Sequence, residues 1–146
     1  MVKKLFYLNL NLLFIILMCF NFSHAQTSDS KDSSKSWVAP KSADKLKNPL
    51  AGIIEESKKG KKLFSNNCYE CHGDSGLGNG PSAYMLDPKP ANLTSEKVQS
   101  QSDGSLFWKI SEGDNGAMSA FKGTLNEKER WELVNYIRQL AKENKP

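Results

Sequence analysis

The apolar positions of this chain fall into one near-continuous run and three amphipathic stretches. The run, residues 5–22, is interrupted by Asn9 and Asn11, follows Lys3 and Lys4, and ends just ahead of Ser23-His24-Ala25. A basic, then apolar, then small-residue order is the layout of a secretory signal peptide, and the small side chains of Ser23 and Ala25 suit cleavage after Ala25. Two alternatives stay open. The run is nearly long enough to remain as a membrane anchor. Cys19 could also carry lipid, although Met18 before it is bulky for such a site.

The other stretches predict helices. Over residues 53–67, Ile53, Ile54, Leu63 and Phe64 are apolar anchors beside a lysine-rich face of Lys58, Lys59, Lys61 and Lys62. Gly60 stands in the middle of this stretch, where glycine costs a helix about 1 kcal/mol relative to alanine. A second helix crossing closely at that point explains it; an ordinary weak spot is the plainer reading. The crossing partner is the last stretch, where Leu133, Val134, Ile137, Leu140 and Ala141 share one helical face. Thr124 and Glu127 have the spacing of a capping box, and Trp131 and Tyr136 add aromatic bulk to lie against Phe64. A shorter helix fits residues 104–111, capped by Ser102 or Asp103, with Leu106, Phe107 and Ile110 inward.

Between the helices, residues 73–101 hold Gly73, Gly76, Gly78, Gly80, Pro81, Pro88 and Pro90, which read as loop and not as sheet. So long a loop is unusual in a small domain unless it covers something large. Residues 26–36 contain five serines, two lysines and two aspartates without an apolar side chain, the composition of a solvated tether. Asn48-Pro49 closes that region. The organisation expected is therefore a signal peptide over 1–25, a flexible tether over 26–49 and one all-α domain over 50–146, with order starting near Leu50.

Charge excludes more than it suggests. The full chain carries 20 basic and 16 acidic side chains; loss of Lys3 and Lys4 leaves 18 against 16, a net of +2. That balance, without interleaved aromatic and basic residues, does not point to nucleic acid. Lys89, Lys109 and Lys122 could steer an acidic redox partner, or simply keep a small domain soluble.

The candidate chemistry is concentrated in "NNCYECHGDSGLGNG". Once residues 1–25 are removed, Cys68 and Cys71 are the remaining cysteines and His72 the remaining histidine. A structural zinc site needs four ligands and finds three here. A dithiol oxidoreductase needs a βαβ frame around its Cys-x-x-Cys, and no strand pattern flanks this one. A disulfide across so short a loop would restrain little chain entropy. What fits is covalent haem: each thiol joins one vinyl group, Tyr69 and Glu70 provide the spacing between neighbouring pyrroles, and His72 gives an imidazole to the iron. A backbone carbonyl should then accept the Nδ1 proton of His72. For the sixth ligand the candidates are Met118, in the slim-backboned "GDNGAMSAF" 46 residues beyond His72, and Met85, only 13 residues beyond it in the Gly/Pro-rich loop. Met118 has the reach to the opposite haem face, and Met85 reads as packing near the haem edge. Trp108 is a candidate wall of the haem pocket.

These residues resemble the class I c-type cytochromes, small bacterial monohaem cytochromes c in particular. The likeness runs from about Gly60 to Leu140 through "GKKLFSNNCYECHG", "GLGNGPSAYMLDPKPANLT", "SDGSLFWKISEGDNGAMSAF" and "ERWELVNYIRQL". It implies a domain of three to four helices wrapped around one haem c joined to Cys68 and Cys71, with His72 proximal and Met118 distal to iron. It also implies a proline carbonyl, from Pro81 or Pro90, as the acceptor for His72. One departure stands out: Ser119 follows Met118 where relatives usually have proline, whose fixed φ would stiffen the ligand loop.

With the lone imidazole committed to iron, no nucleophile has a base left to activate it. The function expected is one-electron transfer as a respiratory shuttle or as the monohaem subunit of a redox complex, with redox proteins as partners and no small-molecule substrate. The product is expected to be exported to the periplasm, or to stay membrane-associated if residues 1–25 are retained. A five-coordinate haem binding a gas or peroxide is the alternative, encouraged by Ser119.

Overall fold

The computed structural model describes residues 37–114, 116 and 118–144. The signal segment, Cys19, His24 and the serine-rich residues 26–36 lie outside the described residues. Within them the secondary structure is helical, with no strand: α1 (Ile54–Asn67), α2 (Tyr69–His72), α3 (Glu96–Gln99), α4 (Asp103–Glu112) and α5 (Glu127–Glu143). Two 3-10 turns, Ala43–Lys45 and Ala83–Met85, complete the set. The three longer helices are the three predicted; α2 is a single turn over the Cys-x-x-Cys-His stretch, and α3 is a single turn inside the segment read as loop.

The frame is set where α1 crosses α5. A Cβ placed on Gly60 would lie 2.0 Å from the Glu132 carbonyl oxygen and 2.9 Å from the Tyr136 Cβ, so the helix axes approach as closely as they do because residue 60 has no side chain. One turn on, Phe64 meets Tyr136 edge-on with ring centroids 5.3 Å apart. Leu133 and Val134 are fully buried beneath them. Ile53 and Ile54, expected as anchors, differ: they are 46% and 75% exposed, because the helix starts beyond the end of the crossing, and Leu63 and Phe64 alone carry its apolar face.

An ionic bridge spans the same crossing. Lys128 of α5 donates to Glu56 of α1 and to Glu132. Glu132 is buried and the Glu56 side chain is 14% exposed; Lys128 neutralises both carboxylates, and Lys59 adds a second ammonium to Glu56 at 3.2 Å. Lys128 holds the Glu56 carboxyl at about 2 against an ordinary 4.5. A carboxyl depressed on folding contributes stability that is complete above its unfolded value and disappears as pH falls towards its folded one. Between pH 4.5 and about 2 the melting temperature should therefore fall less in Glu56→Gln than in the parent. Parallel melting curves of the two proteins across that window would show that the bridge contributes nothing.

The other helices close over this pair. α4 starts at Ser102, whose hydroxyl accepts the Ser105 amide at 3.0 Å as expected of an N-cap. Phe107 on α4 stacks on Trp131 with centroids 4.0 Å apart, so Trp131 faces α4, while Tyr136 is the aromatic that meets Phe64. The box that caps α5 is Asn126 with Glu129, not Thr124 with Glu127. The Thr124 hydroxyl turns back to the Phe121 carbonyl, and Asn126 is the residue whose backbone is extended at the helix entrance.

Order also begins earlier than residue 50. Ala43 is buried, its carbonyl seated against Gly104, where a Cβ would come within 2.0 Å. Asp44 accepts from Ser102 and Ser105, and Asn48 donates to Asp103 and Asn135, each at 2.8 Å. Polar side chains read as tether are instead the fastening of a strap across the starts of α4 and the middle of α5.

Candidate functional site

Cys68 ends α1 and opens α2. Its amide donates to the Phe64 carbonyl at 2.8 Å, and its own carbonyl accepts from Cys71 at 3.2 Å and His72 at 2.8 Å, so both thiols and the imidazole are carried on one turn. Neither cysteine is in a disulfide. Cys68 packs against the apolar core, and burial, aided by Cys71, pushes its thiol up to about 12. That is the opposite of a dithiol oxidoreductase, whose attacking sulfur is held low so as to be a thiolate. The zinc reading also fails on geometry: among the described residues no three His, Cys, Asp or Glu side chains gather around one point.

The glycines after His72 let the loop run back along this turn. Gly78 and Gly80 donate their amides to the carbonyls of His72 and Cys71 at 2.9 and 3.1 Å, and Ser82 donates to Glu70 at 2.9 Å. These are the carbonyls a helix end leaves without partners. A Cβ on Gly80 would sit 2.5 Å from the carbonyl oxygens of Tyr69 and Glu70, and one on Gly78 would sit 2.3 Å from that of Pro90. The bare backbone brings residues 90–91 beneath the imidazole. His72 Nδ1 then lies 3.1 Å from the Ala91 carbonyl oxygen. A carbonyl only accepts, so this contact puts the proton on Nδ1 and leaves Nε2 as the nitrogen open to a metal. Burial lowers the pKa of the ring, favouring the neutral form that a metal needs, with the Ala91 bond opposing.

The acceptor is thus neither Pro81 nor Pro90. Pro81 is exposed, and the Pro90 carbonyl is turned towards Gly78; the next peptide group, at Ala91, is the one that faces the ring. No side-chain signal marks such a residue, since it acts through its backbone. Met118 packs against the same core cluster as Cys68 and Leu93, whereas Met85 is 64% exposed. Trp108 is half-buried on α4. Of the lysines considered for steering, Lys89 donates to the carbonyls of Ala83 and Tyr84, Lys109 lies 5.1 Å over the Trp37 ring, and Lys122 pairs with Glu112 at 3.1 Å. All three are engaged within their own chain.

Two thiols and an oriented imidazole on one turn, with Cys68 and the Met118 thioether packed against the same apolar cluster, are a donor set that fits haem c. The cytochrome c family model matches residues 57–141, from the middle of α1 through nearly all of α5. The chain belongs to the cytochrome c family. Its cofactor is covalently bound haem c, and its chemistry is haem-based electron transfer. Over 87 residues this cytochrome is 31% identical to the cbb3-type cytochrome c oxidase subunit FixP of Bradyrhizobium diazoefficiens, a match covering 59% of this chain and 28% of that protein. Among solved structures, it resembles a chain of the reducing HAO-like protein complex of Kuenenia stuttgartiensis, with 28% identity and a TM-score of 0.57. That match covers 65% of this chain and 49% of the other. The cytochrome therefore spans about a quarter of the curated relative and about half of the structural one. Among the described residues no helix is long and apolar enough to cross a membrane.

Proposed function

We propose that Cys68 and Cys71 hold the haem through thioether links, that His72 Nε2 and Met118 Sδ are its two axial ligands, and that the protein is a one-electron carrier. The observation carrying this reading is the single turn that presents two unbridged thiols beside a histidine whose Nδ1 is already engaged by Ala91. Bound haem supplies the ferric/ferrous couple. The Ala91 carbonyl fixes the ring of His72 and raises its donor strength. Met118 supplies the softer second donor, which raises the potential relative to two nitrogens. The loop over residues 73–93 excludes water from the proximal side, and Trp108 forms part of the pocket wall. Held by both His72 and Met118, the haem would leave no position for a substrate, and the chemistry it would supply is one-electron transfer.

The carrier reading covers either a free respiratory shuttle or a monohaem subunit docked to redox proteins. Residues 1–25 direct export, placing the domain in the periplasm or, if they are retained, at the membrane face.

In the ferric holoprotein an Fe–S(Met) charge-transfer band is expected, and the reduced protein should not take up carbon monoxide at once. Met118→Ala should lose the band entirely, bind carbon monoxide on mixing and have a lower reduction potential. A variant with the parent spectrum would rule out Met118 and reopen the five-coordinate reading.

A further inference from the structure

We propose that Asp114 is the positioning residue for Met118, holding the methionine at the iron by clamping its peptide groups. This rests on Met118 being the distal ligand. Asp114 Oδ1 accepts the amides of Gly116 and Met118, both at 2.9 Å, and the Asp114 amide donates to the Met118 carbonyl at 3.2 Å. The N–H and the C=O of Met118 therefore both end on residue 114, and its backbone is held from both sides. Among the described residues Asp114 enters no ion pair, so the two amides are its observed partners.

The base of the loop is anchored separately. The last turn of α4 accepts Gly113, Phe121 and Lys122 amides on the carbonyls of Lys109, Ile110 and Ser111, at 3.0, 3.0 and 3.1 Å. Gly113 has φ +64°, and a Cβ there would meet the Met118 carbonyl oxygen at 2.5 Å, so the methionine peptide is folded directly over the helix end. Between these anchors Ser119 leaves the chain free about φ, unlike a proline. The tie at Met118 itself is the Asp114 carboxylate. A side-chain carboxylate taking two backbone amides is a charge-assisted restraint, stronger than a neutral one, and it does the stiffening that a ring would do.

The test uses holoprotein and imidazole, which competes with Met118 for ferric iron. Asp114→Ala removes the acceptor and should raise apparent imidazole affinity about tenfold, as expected when hydrogen bonds that restrain the ligated loop are lost. Asp114→Asn keeps Oδ1 as an acceptor but not its charge, and should raise affinity by only about threefold, well short of the alanine variant. A purely structural Asp114 would lower the melting temperature of the holoprotein without moving imidazole affinity. Parent-like affinity in Asp114→Ala, or equal loosening in Asp114→Asn, would overturn the clamp. Met118→Ala run alongside separates the two layers: if it binds imidazole no more tightly than the parent, the ligand reading itself fails.

Discussion

Replacing both Cys68 and Cys71 by alanine should yield a chain that carries no haem through denaturing electrophoresis and shows little helix by circular dichroism. The first half follows from the proposed thioether links. The second is a matter of how little the polypeptide can bury alone. A domain of about 100 residues buries only some 60–65% of its unfolded surface, which leaves it marginal. Here the loop over residues 73–93 spends its backbone hydrogen bonds on α2 and on itself, and contributes little buried apolar surface beyond Ala83 and Leu93. Cys68 and Met118 sit at the edge of the same cluster and not at its centre. The haem is the apolar body these elements close upon, and without it that closure has no object. Haem staining that survives in the double variant, or a helical spectrum equal to the parent's, would refute this account.

Gly60→Ala should destabilise the holoprotein by about 3 kcal/mol, the upper end of the usual cost of overpacking. Two effects oppose each other. Alanine improves helix propensity by about 1 kcal/mol. Its methyl, however, would stand 2.0 Å from the Glu132 carbonyl oxygen, a backbone atom that cannot turn aside. Relief requires α1 and α5 to separate, which loosens the Phe64–Tyr136 contact and the Glu56–Lys128–Glu132 bridge together. The loss is a large share of the 5–15 kcal/mol typical of a whole domain. Denaturant titration of the two holoproteins measures it. A variant as stable as the parent would show that the helices have slack at the crossing.

Gly60 also shows what could be read from the chain. A glycine amid strong helix formers has few physical explanations, and close approach of a second helix was one; the amphipathic last stretch was available to provide it. Cys68, Cys71 and His72 were legible for a similar reason: their relation is local, and one turn of helix realises it whatever the rest of the fold does. Ile53 and Ile54 misled because hydropathy gives a face without saying where along the helix the partner stops. Asn126 and Thr124 offer the same three-residue spacing to a glutamate, so spacing alone does not tell which of them caps α5. Asp114 stands in the slim-backboned "GDNGAMSAF", and nothing in that pattern says which amide its carboxylate would reach.

The residue types alone determined that this protein is helical, that it carries haem c, and that Cys-x-x-Cys-His is the place proposed for it, because each of these follows from periodicity or from donors adjacent in the chain. Tertiary structure decided which carbonyl receives the His72 proton, that Lys89, Lys109 and Lys122 are engaged within the chain, that residues 37–49 form a strap and which carboxylate accepts the Met118 amide. Each of those depends on backbone groups or on side chains distant in sequence, and their meeting is set by how closely the helices pack.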